Sequence, residues 1–134
     1  MKIAVIGSNR GIGLELVRQL VHTQHQVFAF CRQGSPALRA CMPAAIIEHF
    51  EVTDAAYMQR SVAALDISNL DWLFHVSGIL TPQGLSNFDP AATVEQFTVN
   101  AIAPILTVQV FAPYMAASSK IGLLTSRMGS MADN

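Results

Sequence analysis

Seven residues near the start of the chain, Gly7-Ser8-Asn9-Arg10-Gly11-Ile12-Gly13, have the types and spacing to cradle a phosphate. Glycines let a backbone turn tightly and approach a ligand, and the N–H groups at a helix start attract an anion. Both effects need a strand before the loop and a helix after it. Two other residues stand where chemistry is possible. Asn100 falls in the middle of a helical pattern, where asparagine is a mediocre former, so its place there favours a specific role. Ser126 follows the last apolar run of the chain. His22, His25 and His49 have no metal-ligand spacing with Cys31 or Cys41, so no metal site is expected.

The elements around these residues alternate. Ile3-Ala4-Val5-Ile6 reads as a short buried strand, and Leu14, Leu16, Val17, Leu20 and Val21 recur at helical spacing after the loop. A second strand is expected over 26–31, broken by Gln33-Gly34-Ser35-Pro36, with room for one helical turn over 37–40. A third, less regular strand covers 45–50, and Thr53 or Asp54 caps a helix reaching about Leu65. A fourth strand over 71–76 closes on Ser77-Gly78. A polar loop with Pro82, Gly84, Asn87 and Pro90 leads into a long helix from about Ala91 toward Ala116, and a fifth strand covers 121–125. Apolar strands alternating with helices predict an α/β fold, a doubly wound parallel sheet in three α/β/α layers, with ligands at the carboxyl ends of the strands.

Composition bounds the rest. The chain has 134 residues, enough for a single domain over 1–134, and 51% of them are hydrophobic while 13% are charged, which excludes a disordered chain. A net charge of −1 supplies no general attraction to nucleic acid or to an anionic membrane, so neither is an expected partner. The stretch 96–119 carries no charge, but Asn100, Pro104, Gln109 and Pro113 interrupt it, and it suits a buried helix better than a membrane span. Cys31 and Cys41 read as reduced thiols beside an N-terminus without a secretory pattern, and the cytoplasm is the expected compartment.

The loop spacing Gly-x-x-x-Gly-x-Gly resembles that of the short-chain dehydrogenases/reductases, particularly the C-factor-like members, and four later segments carry the same resemblance in order. Glu51-Val52-Thr53-Asp54 is similar to the family's Asp-Val-Thr-Asp, whose first acid and valine meet the adenine. His75-Val76-Ser77-Gly78 stands where the family has Asn-Asn-Ala-Gly. Val99-Asn100 matches the long helix's Val-Asn, which implies that Asn100 belongs to the catalytic tetrad. Leu124-Thr125-Ser126 matches the end of the fifth strand, which implies the catalytic serine role for Ser126. The resemblance implies a Rossmann-type sheet, incomplete on its C-terminal side, and a cofactor site that includes Gly7, Ser8, Asn9, Arg10, Gly11, Ile12, Gly13, Glu51, Val52, His75, Val76, Ser77 and Gly78.

Two departures from the family qualify these expectations. His75 and Val76 replace amide side chains that steady the sheet centre. The family's Tyr-x-x-x-Lys, which supplies the proton for the developing alkoxide, has no counterpart here. Tyr57 and Tyr114 have no lysine four residues on. The chain therefore reads as a family member truncated before that motif. Its cofactor preference follows from charge. No acid lies between Val27 and Ala45, whereas Arg32 follows the second strand and Arg10 precedes the second loop glycine. Two cations suit a 2′-phosphate, so NADP is expected in preference to NAD. The resulting expectation is an NADP-dependent carbonyl reductase or alcohol dehydrogenase type of oxidoreductase, acting on a small carbonyl or alcohol and present here as its cofactor-binding part. The resemblance also implies a homo-oligomer for the intact family member. A non-catalytic nucleotide-binding or regulatory module and an inactive fragment are the alternatives.

Overall fold

Five strands pair into one parallel sheet, and its central strands are apolar runs too hydrophobic to leave either face in water. The computed structural model describes residues 1–126; residues 127–134 of the domain expected over 1–134 lie outside that description. The strands are β1 (Lys2–Ile6), β2 (Gln26–Phe30), β3 (Ala45–Ile47), β4 (Leu70–His75) and β5 (Met115–Leu123), in the spatial order β3-β2-β1-β4-β5. Helices α1 (Gly11–His22), α2 (Pro36–Ala40), α3 (Ala55–Ala63), α4 (Pro90–Phe97) and α5 (Ala103–Phe111) connect them. This is the expected Rossmann-type doubly wound arrangement. Winding reverses beside β1, so the crevice for a ligand opens at the end of β1.

Alternation along β1 divides the core. Ile3 and Val5 point to the layer of α1 and α2, where Val17 and Leu38 meet Val27 and Ala29. Ala4 and Ile6 point to the layer of α3 and α5, where Met58, Val62, Val110 and Phe111 meet Phe28 and Phe30. Phe30, Phe50 and Phe111 pack edge to face there, with ring centroids 4.7, 5.3 and 6.3 Å apart. Thr107 and His75 are buried polar groups in this layer, and they face each other.

Four elements differ in extent from the sequence expectation. The third strand stops at Ile47 because its partner β2 ends at Phe30, which lies opposite Ile47, and His49 then turns at φ 58°. Of the two expected caps Asp54 serves α3, its carboxylate accepting the Tyr57 N–H at 2.8 Å, and the helix ends at Ala63, short of Leu65. The long helix does not run smoothly to Ala116. It contains a π turn, Thr98–Ile102, in which Ala103 N–H returns to the Thr98 carbonyl, and it ends in a 3₁₀ turn, Ala112–Tyr114. Pro104 has no N–H to continue the regular ladder, and a π turn is one way to absorb that loss. The fifth strand consequently begins at Met115 and ends at Leu123, instead of spanning 121–125.

Candidate functional site

A cleft of about 1040 Å³ opens over the carboxyl ends of β1, β2 and β4, with the glycine loop as its floor. Each loop glycine has a separate reason to be there. Gly7 turns at φ 89°, and a Cβ on it would lie 2.7 Å from the Ser77 backbone nitrogen. Gly11 turns at φ 56° in open space. Gly13 has an ordinary φ, but a Cβ would stand 2.1 Å from the Gly7 carbonyl oxygen, so the first turn of α1 can close only on glycine. Arg10 occupies the N-cap of α1 in extended conformation and places no side-chain acceptor on the first turn. Those N–H groups have no intrahelical acceptors and face the cleft through Gly11, Ile12 and Gly13.

The loop is tied down from behind. Gly7 and Ser8 N–H groups both donate to the Phe30 carbonyl, at 2.9 and 3.2 Å, and the Ser8 hydroxyl donates to the same oxygen at 3.0 Å. Ser8 is therefore buried against β2 and does not line the cleft; its work is anchoring. Asn9 lines the cleft, and its Oδ1 is a buried acceptor without a partner among the described residues. Such an atom suits a ligand hydroxyl or amide donor better than a phosphate. Arg10 and Arg32 are exposed on the same cleft, and neither forms an ion pair among the described residues.

The remaining expected residues divide. Glu51, Val52, Val76, Ser77 and Gly78 line the cleft with the loop. The Glu51 carboxylate accepts the Thr53 hydroxyl at 2.9 Å and the Thr53 N–H at 3.2 Å, which fixes its direction at the rim. His75 lies behind the wall. It is 1% exposed, with Nδ1 3.1 Å from the Thr107 hydroxyl and Nε2 unpartnered among the described residues. Burial pushes its pKa down to about 4, against a smaller upward effect of the Ser77 backbone, so the ring is neutral at physiological pH. Asn100 sits in the π turn and clamps Ile79 with both ends of its amide: Oδ1 accepts the Ile79 N–H at 2.9 Å, and Nδ2 donates to the Ile79 carbonyl at 2.7 Å. It thereby holds the segment just past Gly78, with its neighbours Thr98 and Val99 on the cleft wall. Ser126 follows β5, two residues after Leu124, whose N–H donates to the His75 carbonyl at 2.9 Å and which lines the cleft.

Several cleft residues, among them Glu48, His49, Glu95 and Thr98, were not assigned to the site by the sequence reading. Glu48, just past β3, lines the wall near Arg32 and Gln33. The signal was present: in a parallel sheet, the residue after β3 shares a rim with the residues after β2. Among the described residues no group of three His, Cys, Asp or Glu side chains is arranged to hold a metal ion.

With this geometry in view, comparison with known proteins decides the family. The family model described as short chain dehydrogenase matches residues 1–132. The chain belongs to the short-chain dehydrogenase family. It is 28% identical to the 1-hydroxy-2-glutathionyl-2-methyl-3-butene dehydrogenase of Rhodococcus sp. (strain AD45), over 98% of this chain and 59% of that protein. Its structure is similar to that of a carbonyl reductase from Pseudomonas aeruginosa PAO1 in complex with NADP, with a TM-score of 0.87 and 27% identity, covering 98% of this chain and 60% of that one. An NADPH-bound carbonyl reductase from chicken fatty liver gives a TM-score of 0.82 at 31% identity, covering 98% and 62%. This short-chain dehydrogenase chain thus spans about three-fifths of the length of these relatives.

Proposed function

We propose that this chain forms the cofactor-binding part of an NADP-dependent oxidoreductase that reduces a small carbonyl compound or oxidises the matching alcohol. The observation that carries the reading is the placing of two unpaired cations, Arg10 and Arg32, on one cleft whose floor is a glycine loop at a helix start. The loop N–H groups suit the pyrophosphate, and the two guanidiniums suit a 2′-phosphate. Asn9 Oδ1 would accept from a ribose hydroxyl, and Glu51 and Val52 would border the adenine. NADPH-bound and NADP-bound carbonyl reductases among the structural relatives support the same cofactor.

When bound, the cofactor supplies or accepts hydride. The protein's part is to hold the substrate oxygen and move a proton. Ser126 is proposed to hydrogen-bond the substrate oxygen, and Asn100 to order the segment beside the nicotinamide. No tyrosine of this sequence is followed four residues later by lysine. Loss of a positioned general acid costs about 10²–10⁴-fold in rate, so this stretch alone is expected to bind cofactor with little turnover. We place the protein in the cytoplasm, as a homo-oligomer in its intact form.

Fluorescence titration with NADPH and NADH tests the cofactor assignment. Arg10→Ala and Arg32→Ala together should weaken NADPH by about 10²-fold and leave NADH within a few-fold. Equal losses for both cofactors would overturn the preference, and a chain that binds neither would overturn the reading.

A further inference from the structure

The cleft rim beside Arg32 holds a carboxylate that has been disarmed. Glu48 stands on the cleft wall, yet one of its oxygens accepts the Gly34 N–H at 2.7 Å and the other pairs with the Arg39 guanidinium at 2.8 Å. Arg39 comes from α2, whose N-cap Ser35 donates its hydroxyl to the Asn9 carbonyl at 3.0 Å while accepting the Leu38 N–H at 3.1 Å. The 33–35 loop is therefore pinned at two points, to Glu48 and to the glycine loop. These bonds join the backbone regions that carry Arg10 and Arg32. The Arg39 guanidinium and the Gly34 N–H also hold the Glu48 carboxyl below the usual carboxylate range, so it carries its full charge at neutral pH.

An exposed ion pair of this kind does little for stability. Its consequence lies in the field it leaves on the rim. A bare carboxylate beside Arg32 would repel a 2′-phosphate and accept a hydrogen bond from a 2′-hydroxyl, which is how an NAD site is built. Paired with Arg39, the same carboxylate keeps its loop-holding bond to Gly34 while its charge is cancelled. We propose that the Arg39–Glu48 pair is a specificity-determining device that sets how strongly the cleft prefers a 2′-phosphate to a 2′-hydroxyl. The inference rests on the cofactor reading above and adds a residue outside the cation pair that the reading uses.

Opposite signs make the proposal testable. NADPH and NADH are titrated into the full chain and its variants at low ionic strength. Arg39→Met strips the partner from Glu48 and should lower the NADPH-to-NADH preference about tenfold. Glu48→Gln keeps an acceptor for Gly34, removes the charge and should raise the preference about threefold. The double variant has the net charge of the parent and should return close to its preference. High salt should shrink both differences. A merely structural role predicts that both single variants weaken both cofactors together, and that outcome overturns the proposal. So does a preference that moves the same way in both. If Arg39→Met fails to fold, Glu48→Gln decides alone: an unchanged or lowered preference overturns the inference. A parent chain that binds NADPH but shows none of these shifts sinks this proposal only, whereas one that binds neither cofactor sinks the reading beneath it.

Discussion

The two sides of the crevice are built to different tolerances. On the side of β1, α1 and β2, the backbone is locked by steric contact, with Gly13 against the Gly7 carbonyl and Gly7 against Ser77. Its strands are almost wholly buried. On the side of β4, the long helix and β5, position depends on side-chain hydrogen bonds, such as the Asn100 clamp on Ile79. Apolar residues there remain in water: Val94, Phe97 and Ile105 are 65, 63 and 68% exposed. Helix α4 has no buried residue, and β5 is largely exposed along its length. The contrast separates two requirements. A phosphate cradle has to be rigid before its ligand arrives, and steric locking provides that. The opposite wall is set by side chains that can change without disturbing the sheet.

The strongest way to break this contrast is to add one carbon on the rigid side. Gly13→Ala forces a Cβ onto a backbone oxygen that has nowhere to go, and overpacking of this kind costs about 3 kcal/mol or more. It should lower the melting temperature and abolish measurable NADPH binding. Gly11→Ala is the matched control. Its Cβ meets nothing, so only the left-handed backbone resists, at a cost of about 1 kcal/mol. If the two variants behave alike, the loop is not sterically locked.

Acid provides the next test, through His75 at the seam between the sides. Its pKa falls from the ordinary 6.5 to about 4 on folding. Between these values the unfolded chain binds a proton that the folded chain refuses, so stability attached to this group is present above pH 6.5 and lost as pH falls toward 4. The full loss is about 3 kcal/mol. Urea unfolding at pH 7.5 and 4.5 should show a decline that His75→Asn reduces. An identical decline in the variant would assign the acid sensitivity to other groups.

The same contrast governs how much could be read from the sequence. Strands β1, β2 and β4 were legible because unbroken apolar runs leave no other stable placement, and the glycine loop was legible because its spacing has a steric cause. Met115 was not legible as a strand start. Residues 112–119 are small or apolar and uncharged, so nothing in the pattern marks the change from helix to strand. Residues 116–119 also have weak strand preference, and they fall in an irregularity of the β4–β5 register, between the Leu70–Met115 and Trp72–Lys120 pairs. Asn100 was singled out for its awkward place in a helix. The π turn that carries it and the Ile79 backbone that it holds are tertiary facts. Ser8 and His75 fall on segments that border the cleft, yet their side chains turn inward. Strand alternation and the anchoring of a turn decide that, and a motif does not record it.

A smaller effect is expected at the clamp itself. Asn100→Ala removes one acceptor and one donor from Ile79, each hydrogen bond being worth about 1 kcal/mol net, and the exposure of the site permits water to replace part of both. A stability loss of about 1 kcal/mol should accompany a several-fold weaker NADPH affinity. Asn100→Asp keeps the acceptor for the Ile79 N–H and loses the donor to its carbonyl, so it should fall between the parent and the alanine variant. If Asn100→Ala leaves cofactor affinity unchanged, the clamp does not shape the cleft wall.

The least effect on folding is expected at the exposed apolar face, and this is where the contrast is sharpest. Phe97→Ser and Ile105→Ser remove side chains that are already mostly in water, so stability should change by no more than about 0.5 kcal/mol. An apolar patch that is not part of the core shows itself through association instead. Sedimentation at increasing concentration should therefore show the double variant remaining smaller than the parent, while NADPH affinity stays the same. A loss of several kcal/mol would mean that these residues belong to the core after all, and the two sides of the crevice would then be alike in construction. Unchanged stability together with reduced association would instead separate the glycine-loop side of the cleft from a face whose role lies in contact with something else.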